Sequence, residues 1–114
     1  MADPEIVTQD DSPQVQMPID GVHRRTMASG ERVMVCEFFL ERGAEIPVHS
    51  HMHEQAGYVI QGSITFTING EARKLYRGDS YAIPGDVLHG AYADEDCILV
   101  EVFSPPREEY RITR

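Results

Sequence analysis

The feature of this sequence that most limits its fold is a succession of short β-type segments, each ended by turn residues. From Val22 onward, segments rich in Val, Ile, Phe, Tyr and Thr alternate with Gly, Pro, Asn and Asp, as expected for strands and reverse turns. No segment keeps the spacing and the capping residues of a helix. The pattern predicts strands over 22–28, 32–40, 46–51, 56–60, 63–68, 72–76, 80–83, 87–92 and 96–103.

One hairpin is particularly well defined by its residues. Ile64, Phe66 and Ile68 occupy alternate positions, with Ser and Thr between them, so that one face of the strand is apolar. Asn69-Gly70 follows, and this pair supplies the positive φ angles that a two-residue hairpin needs. Many short strands without helices predict an all-β sandwich or barrel.

Length and composition set the wider limits. A chain of 114 residues predicts one domain. Residues 1–20 are acidic and polar, with three prolines, and are predicted to form a flexible arm with one short edge strand at most; residues 21–114 form the barrel. No apolar run has the ~18 residues of a membrane helix, and the N-terminus lacks the apolar stretch of a signal peptide. We therefore expect a cytoplasmic protein.

Net charge and cysteine usage exclude some functions. A formal charge of −9 argues against a nucleic-acid partner, which clustered Lys and Arg would bind, but allows a small anionic substrate. Cys36 and Cys97 each lie in an apolar run and are predicted to be buried thiols, although the sequence leaves a disulfide between them open.

The segment HSHMHEQ, residues 49–55, is the strongest functional signal. In a strand, His49 and His51 point to the same side, and two imidazoles at that spacing can ligate one ion. His53 and Gln55 share this parity only if the strand continues unbroken, and a break after His51 is also consistent with the sequence. The alternative is a solvated strand that is rich in histidine. His89 follows a distant turn, and an antiparallel barrel can bring it to the first pair.

These segments resemble the two motifs of the small single-domain cupins. The first motif, G-x5-H-x-H-x3-E-x6-G, is matched at Gly43, His49, His51, Gln55 and Gly62. The second motif, G-x5-P-x-G-x2-H-x3-N, is matched in spacing at Gly78, Pro84, Asp86, His89 and Ala93. Three positions depart from the family pattern, namely Gln55 for Glu, Asp86 for Gly and Ala93 for Asn.

The resemblance implies a double-stranded β-helix, or jelly-roll, cupin barrel with one divalent transition metal ion (Zn, Ni, Mn or Fe) in its lumen. The implied metal ligands are His49, His51, Gln55 and His89. A neutral glutamine ligand leaves the ion its full charge, which makes it a stronger Lewis acid and a better binder of anions. Alternatively, Gln55 only forms hydrogen bonds nearby. His53 is expected beside the ligands or at the mouth of the site.

A second group of candidate residues lies near the C-terminus. Glu101 shares a strand face with Cys97, Leu99 and Phe103; if that face looks into the barrel, Glu101 is a candidate general acid or base. The alternative places Glu101 on the outer face of an edge strand. Arg107 can hold a carboxylate through a bidentate pair, or can simply pair with an adjacent glutamate on the surface.

A narrower resemblance links these residues to pectin-degradation cupins that linearise unsaturated uronates. Their C-terminal pattern, D-x-F-x3-R, is matched by Glu101, Phe103 and Arg107, with Glu in place of Asp. The resemblance implies an isomerase acting on 4,5-unsaturated uronate monosaccharides, in which Glu101 moves a proton, Arg107 anchors the carboxylate and Phe103 shapes the pocket. The alternatives are another metal cupin enzyme, such as an oxygenase or a lyase, and a non-catalytic module that binds sugar or metal.

The resemblance also bears on assembly. Small cupins commonly form homodimers, and both faces of the last strand are apolar except at Glu101. We therefore expect a homodimer.

Overall fold

Ten strands in two antiparallel sheets make up most of the computed structural model, which describes residues 3–112. The strands are β1 (Val15–Gln16), β2 (Val22–Ser29), β3 (Met34–Leu40), β4 (Glu45–His49), β5 (Glu54–Gln61), β6 (Ser63–Ile68), β7 (Glu71–Tyr76), β8 (Ser80–Ile83), β9 (His89–Ala93) and β10 (Cys97–Ser104). Two short 3-10 helices, Gln9–Asp11 and Glu108–Tyr110, lie near the two ends. Among the described residues, no helix has the length and apolar character needed to cross a membrane.

The strand order is that of a jelly roll. One sheet has six strands in the order β1-β2-β3-β10-β5-β8, and the other has four in the order β4-β9-β6-β7. The chain passes from one sheet to the other several times, so residues that are distant in sequence meet between the sheets. The predicted all-β jelly-roll barrel is confirmed.

The core lies between the two sheets and is built by strict alternation. Every second residue of β3 is buried, from Met34 to Leu40, and the same holds in β10 for Cys97, Leu99, Glu101 and Phe103. Alternation of this kind is expected of strands that turn one face to a core. Glu101 therefore points into the barrel, and its alternative position on an outer face is excluded.

Two turns have the backbone angles that their residues predict. Asn69 and Gly70 both have positive φ, 51° and 83°, and join β6 to β7 as a tight hairpin. Asp86 adopts a φ of 66°, a left-handed conformation that Asp tolerates better than most residues. It therefore fills the position that glycine occupies in the second cupin motif.

The N-terminal segment contacts the barrel. The predicted short edge strand is β1, in which Val15 pairs with Arg24 of β2. Ser12 is fully buried, and its hydroxyl donates a hydrogen bond to the carbonyl oxygen of Thr26. The division of the chain at residue 20 into an arm and a barrel stays a prediction.

Both cysteines are buried and free. The predicted buried thiols are confirmed, and no disulfide joins Cys36 to Cys97. The cytoplasmic location stays a prediction.

Candidate active site

Three histidines from separate segments converge between the sheets. His49 ends β4, His89 begins β9, and the two are direct register partners. His51 lies in the turn that leads to β5. The ring centroids are 4.4 Å apart for His49 and His89, and 4.9 Å apart for His51 and His89. One nitrogen from each ring lies within 4.8 Å of the others, a spacing at which all three can bind one ion.

Backbone carbonyl groups fix the orientation of each ring. Nδ1 lies 2.9 Å from the carbonyl oxygen of Pro47 for His49, 3.0 Å from that of His53 for His51, and 2.8 Å from that of Val87 for His89. A carbonyl can only accept, so each Nδ1 carries a proton, and in the neutral form of each ring the free lone pair is on Nε2. Metal-binding histidines are oriented in this way.

The cavity favours neutral imidazoles. Burial is the largest cause of a lowered pKa at His51, and the positive charge of Arg107 lowers it further, as does His89 whenever its own ring is protonated. Burial also lowers the pKa of His89, an effect partly opposed by the hydrogen bond to Val87. Neutral imidazole is the form that binds metal.

Gln55 reaches the same cavity from the opposite sheet. Strand β4 ends at His49 and belongs to the four-stranded sheet. Gln55 belongs to β5, which lies in the six-stranded sheet. Its side-chain Nε2 donates a hydrogen bond of 2.7 Å to Glu101 Oε2. Its carbonyl Oε1 is buried, and within residues 3–112 no group donates to it. A buried acceptor without a donor costs free energy, which a cation would recover.

His53 stands apart from the three converging nitrogens and is not one of the group that can share an ion. Its carbonyl oxygen orients His51, and its ring lies 5.5 Å from the His51 ring, edge to face.

The donor set fits a divalent transition metal ion. Within the described residues, both His51 Nε2 and Gln55 Oε1 are buried without a hydrogen-bond partner. In the other two candidate ligands, His49 and His89, Nδ1 donates to a backbone carbonyl oxygen, and Nε2 remains available to bind the ion. Imidazole nitrogen with one amide oxygen suits Zn, Ni or Fe, and also Mn when oxygen donors are added.

Glu101 is a buried carboxyl group adjacent to this donor set. It retains 7% exposure, and Oε2 accepts hydrogen bonds from Gln55 Nε2 and from the Tyr81 hydroxyl, both 2.7 Å long. Burial raises the pKa of Glu101, and the hydrogen bonds and the charge of Arg107 partly oppose this rise. A carboxyl group with a raised pKa exchanges protons more readily near neutral pH.

Arg107 presents its guanidinium to the cavity against two aromatic rings. Its Cζ lies 4.5 Å from the Tyr110 ring centroid and 5.4 Å from that of Phe103. Its Nη2 lies 3.5 Å from Glu109 Oε2, and the Glu109 side chain is exposed to solvent. This ion pair is therefore weak. Its Nε is buried without a partner among the described residues. The side chain is therefore held by aromatic packing more than by an acid.

These side chains line one cavity of about 590 Å³. The three histidines, Gln55, Glu101, Phe103 and Arg107, all proposed from the sequence, share it. Residues that could not be identified from the sequence also contribute, namely residues 16–19, Arg24, Tyr110 and, through its bond to Glu101, Tyr81. No local pattern marks them, because each reaches the site through long-range packing.

Comparisons with known proteins agree with this architecture. The family model described as Cupin domain, Cupin_2, matches residues 36–103. The pectin degradation protein KdgF of Dickeya dadantii is 33% identical over 93 residues, which are 80% of this chain and 84% of that protein.

Two solved structures are similar over nearly the whole chain. An RmlC-like cupin from Shewanella frigidimarina has a TM-score of 0.89 and 28% identity, and covers 96% of this chain and 98% of its own. KdgF from a Halomonas species has a TM-score of 0.88 and 31% identity, and covers 96% of this chain and 100% of its own.

Proposed function

Because this chain belongs to the Cupin_2 family of cupin domains, we propose that it is a metal-dependent isomerase that converts 4,5-unsaturated uronate monosaccharides into linear keto forms. Its similarity to proteins named KdgF, one of them described as a pectin degradation protein, supports this substrate class. The observation that carries the proposal is the 2.7 Å hydrogen bond from Gln55 to Glu101. It joins a candidate metal ligand to a candidate proton carrier within one cavity.

The proposed metal ligands are His49, His51, His89 and Gln55. When bound, a divalent ion would act as a Lewis acid, holding substrate oxygens and stabilising the negative charge that develops during ring opening. All four ligands are neutral, so the site would retain the full charge of the ion for an anionic substrate.

The chemistry to be catalysed is an isomerisation. Ring opening breaks the bond between the anomeric carbon and the ring oxygen and removes the proton of the anomeric hydroxyl. The electron pair of the broken bond remains on the ring oxygen and forms an enolate. Conversion to the ketone then adds a proton to the carbon at the far end of the former double bond. One group that accepts the first proton and returns it therefore satisfies the proton balance.

Glu101 is the proposed proton carrier. It is buried in the cavity beside Gln55, and burial raises its pKa toward the range in which a carboxyl group both accepts and donates. Its Oε2 already accepts two hydrogen bonds. Proton exchange with the substrate is therefore assigned to Oε1.

Arg107 is proposed to bind the carboxylate of the substrate, because a guanidinium can form two parallel hydrogen bonds to a carboxylate. Stacking on Tyr110 and Phe103 limits the directions it can adopt, which lowers the entropy lost on binding. Phe103 is fully buried in the cavity wall and excludes water from the side of Arg107.

The test uses unsaturated galacturonate that a pectate lyase has released. With the metal-loaded protein, the vinyl proton signal in the proton NMR spectrum should decay faster than in buffer, while signals of the linear keto form increase. Decay at the buffer rate would reject the activity. Oxygen consumption during decay would indicate an oxygenase, and saturable binding without decay would indicate a binding module.

We also propose a homodimer formed through the outer face of the six-stranded sheet. Tyr58 of β5 is 48% exposed and is the register partner of Val100 in β10. Ile60 and Val102 extend this apolar surface, at 43% and 37% exposure. An apolar surface of this kind favours association. Sedimentation velocity should give the mass of two chains, whereas a single-chain mass at micromolar concentration would contradict the proposal.

A further inference from the structure

We propose that Tyr81 is a positioning residue, which fixes the carboxylate of Glu101 and, through it, turns the amide oxygen of Gln55 toward the three histidines. This inference rests on the proposed function, because it assigns a role within the same site. It concerns a residue that occupies an unspecified position of the second cupin motif, between Gly78 and Pro84, and lies outside the C-terminal pattern.

Two side chains share a single carboxylate oxygen of Glu101. The Tyr81 hydroxyl and Gln55 Nε2 each donate to Glu101 Oε2 at 2.7 Å. The two donors come from different strands, β8 and β5, which follow β10 on one side of it in the six-stranded sheet. Within residues 3–112, no hydrogen bond engages Oε1. The carboxylate is thus anchored through one oxygen, and the other remains available to the cavity.

Tyr81 reaches Glu101 by passing over Gly57, which lies between them in the sheet. Gly57 of β5 is the register partner of Tyr81 on one side and of Glu101 on the other. A Cβ atom at Gly57 would overlap Cζ and the hydroxyl oxygen of Tyr81, so the ring occupies the space of the missing side chain. Gly57 does not have positive φ, and its backbone alone therefore does not require glycine. A glycine inside a strand lowers stability, and the passage of Tyr81 explains why one is present.

The Tyr81 ring is fixed by packing against Phe66. Its centroid lies 4.2 Å from that of Phe66, with 41° between the ring planes. The hydroxyl is therefore held at a defined position relative to the carboxylate, as a positioning group requires.

The consequence for Gln55 follows from the chemistry of the amide. Glu101 Oε2 accepts from Nε2; the reversed amide would place its carbonyl oxygen against an oxygen that already accepts from Tyr81. The carboxylate thus selects the orientation in which Gln55 Oε1 is buried without a donor. That oxygen is the proposed metal ligand. Loss of the Tyr81 hydroxyl would loosen Glu101 and, with it, this orientation.

The experiment measures Zn²⁺ affinity, which does not depend on the substrate. Chelator-stripped Tyr81→Phe is titrated with Zn²⁺ in competition with a chromogenic chelator, with Tyr76→Phe as the control because Tyr76 is 56% exposed and belongs to β7 in the other sheet. Partners of metal ligands typically contribute 10- to 100-fold to affinity; Tyr81 acts one contact further out, so we expect a loss of about threefold to tenfold. Tyr76→Phe should bind as the wild type does.

A double mutant tests whether Tyr81 affects Zn²⁺ affinity through Gln55. In a Gln55→Ala background the ligand is absent, so Tyr81→Phe should cause no further loss of Zn²⁺ affinity. An equal loss in both backgrounds would contradict action through Gln55. Wild-type Zn²⁺ affinity in Tyr81→Phe would overturn the inference, whatever happens to turnover.

Turnover supplies a second readout. With metal at saturation, Tyr81→Phe should lower kcat about tenfold or more with KM within twofold, because small displacements of a catalytic group strongly slow reaction. A purely structural role would lower thermal stability without changing Zn²⁺ affinity, and would also overturn the inference. If the wild type fails to convert unsaturated uronate, the proposed function fails, while the Zn²⁺ titration still decides the role of Tyr81.

Discussion

His49 and His89 face each other across the antiparallel pair of β4 and β9, with ring centroids 4.4 Å apart. Each donates Nδ1–H to a backbone carbonyl two residues earlier in its own segment. The protein thus supplies two correctly oriented Nε2 atoms from rigid strand positions, and the turn that contains His51 adds a third.

Removing one of these rings should weaken metal binding. Zn²⁺ at about 100 times its dissociation constant stabilises a folded protein by about 2.7 kcal/mol, so the wild type should show a clear rise in Tm. His89→Ala should lose most of this rise. The control is His23→Ala, because His23 pairs with Glu41 away from the cavity. An undiminished rise in His89→Ala would show that the ion binds elsewhere.

Replacing Glu101 with its neutral isostere should abolish most of the turnover. Glu101→Gln removes a group assigned to proton transfer, and such groups typically contribute about 100-fold or more to the rate. The measurement is kcat with unsaturated galacturonate at saturating metal. The matched control is Glu54→Gln, since Glu54 is exposed on the same strand as Gln55. Wild-type kcat in Glu101→Gln would remove Glu101 from the mechanism.

Arg107 should act mainly on substrate binding. Arg107→Lys keeps a positive charge but loses both the bidentate geometry and the planar stacking on Tyr110. We expect KM to rise by roughly tenfold, equivalent to about 1.4 kcal/mol, with a smaller change in kcat. Arg111→Lys is the control, because Arg111 pairs with the exposed Glu108. Equal kinetic effects of the two substitutions would contradict a specific role for Arg107.

The two thiols should be unreactive in the folded protein. Burial raises the pKa of Cys36 and of Cys97 from 9.0 to about 11, and the thiolate is the reactive form. A thiol reagent at pH 8 should therefore label them only after denaturant is added. Rapid labelling of either thiol in the native protein would contradict their burial.

The same shifts define an alkaline limit of stability. The folded state holds the two thiol protons more tightly than the unfolded state does. The stability that the protonated thiols contribute to the folded protein is therefore complete below pH 9 and is lost as the pH rises toward 11. Denaturant unfolding between pH 8 and pH 11 should show this loss. A Cys36→Ser variant should show a smaller loss over the same interval.

Local chemistry allowed much of the fold to be predicted. Alternation in Ile64, Phe66 and Ile68 defined a strand, and Asn69-Gly70 defined its turn, because both signals depend on neighbouring residues. The histidines and Gln55 were identified by spacing. The strand nevertheless ends at His49 rather than at His51, so Gln55 reaches the cavity from the opposite sheet.

Other parts of the site could not be predicted because they depend on contacts across the barrel. Tyr81 reaches Glu101 only because Gly57 lies between them in register, and nothing near Tyr81 in the sequence indicates this. Similarly, residues 16–19 line the cavity because β1 joins the sheet edge, a placement that the acidic and polar composition of residues 1–20 as a whole does not signal.

The most direct test of the account is a titration of chelator-stripped protein with a divalent metal while turnover of unsaturated galacturonate is followed. We predict negligible turnover without metal, a linear recovery as metal is added, and saturation at one equivalent per chain. Turnover that is independent of added metal, or metal binding at one equivalent with no turnover at all, would contradict it.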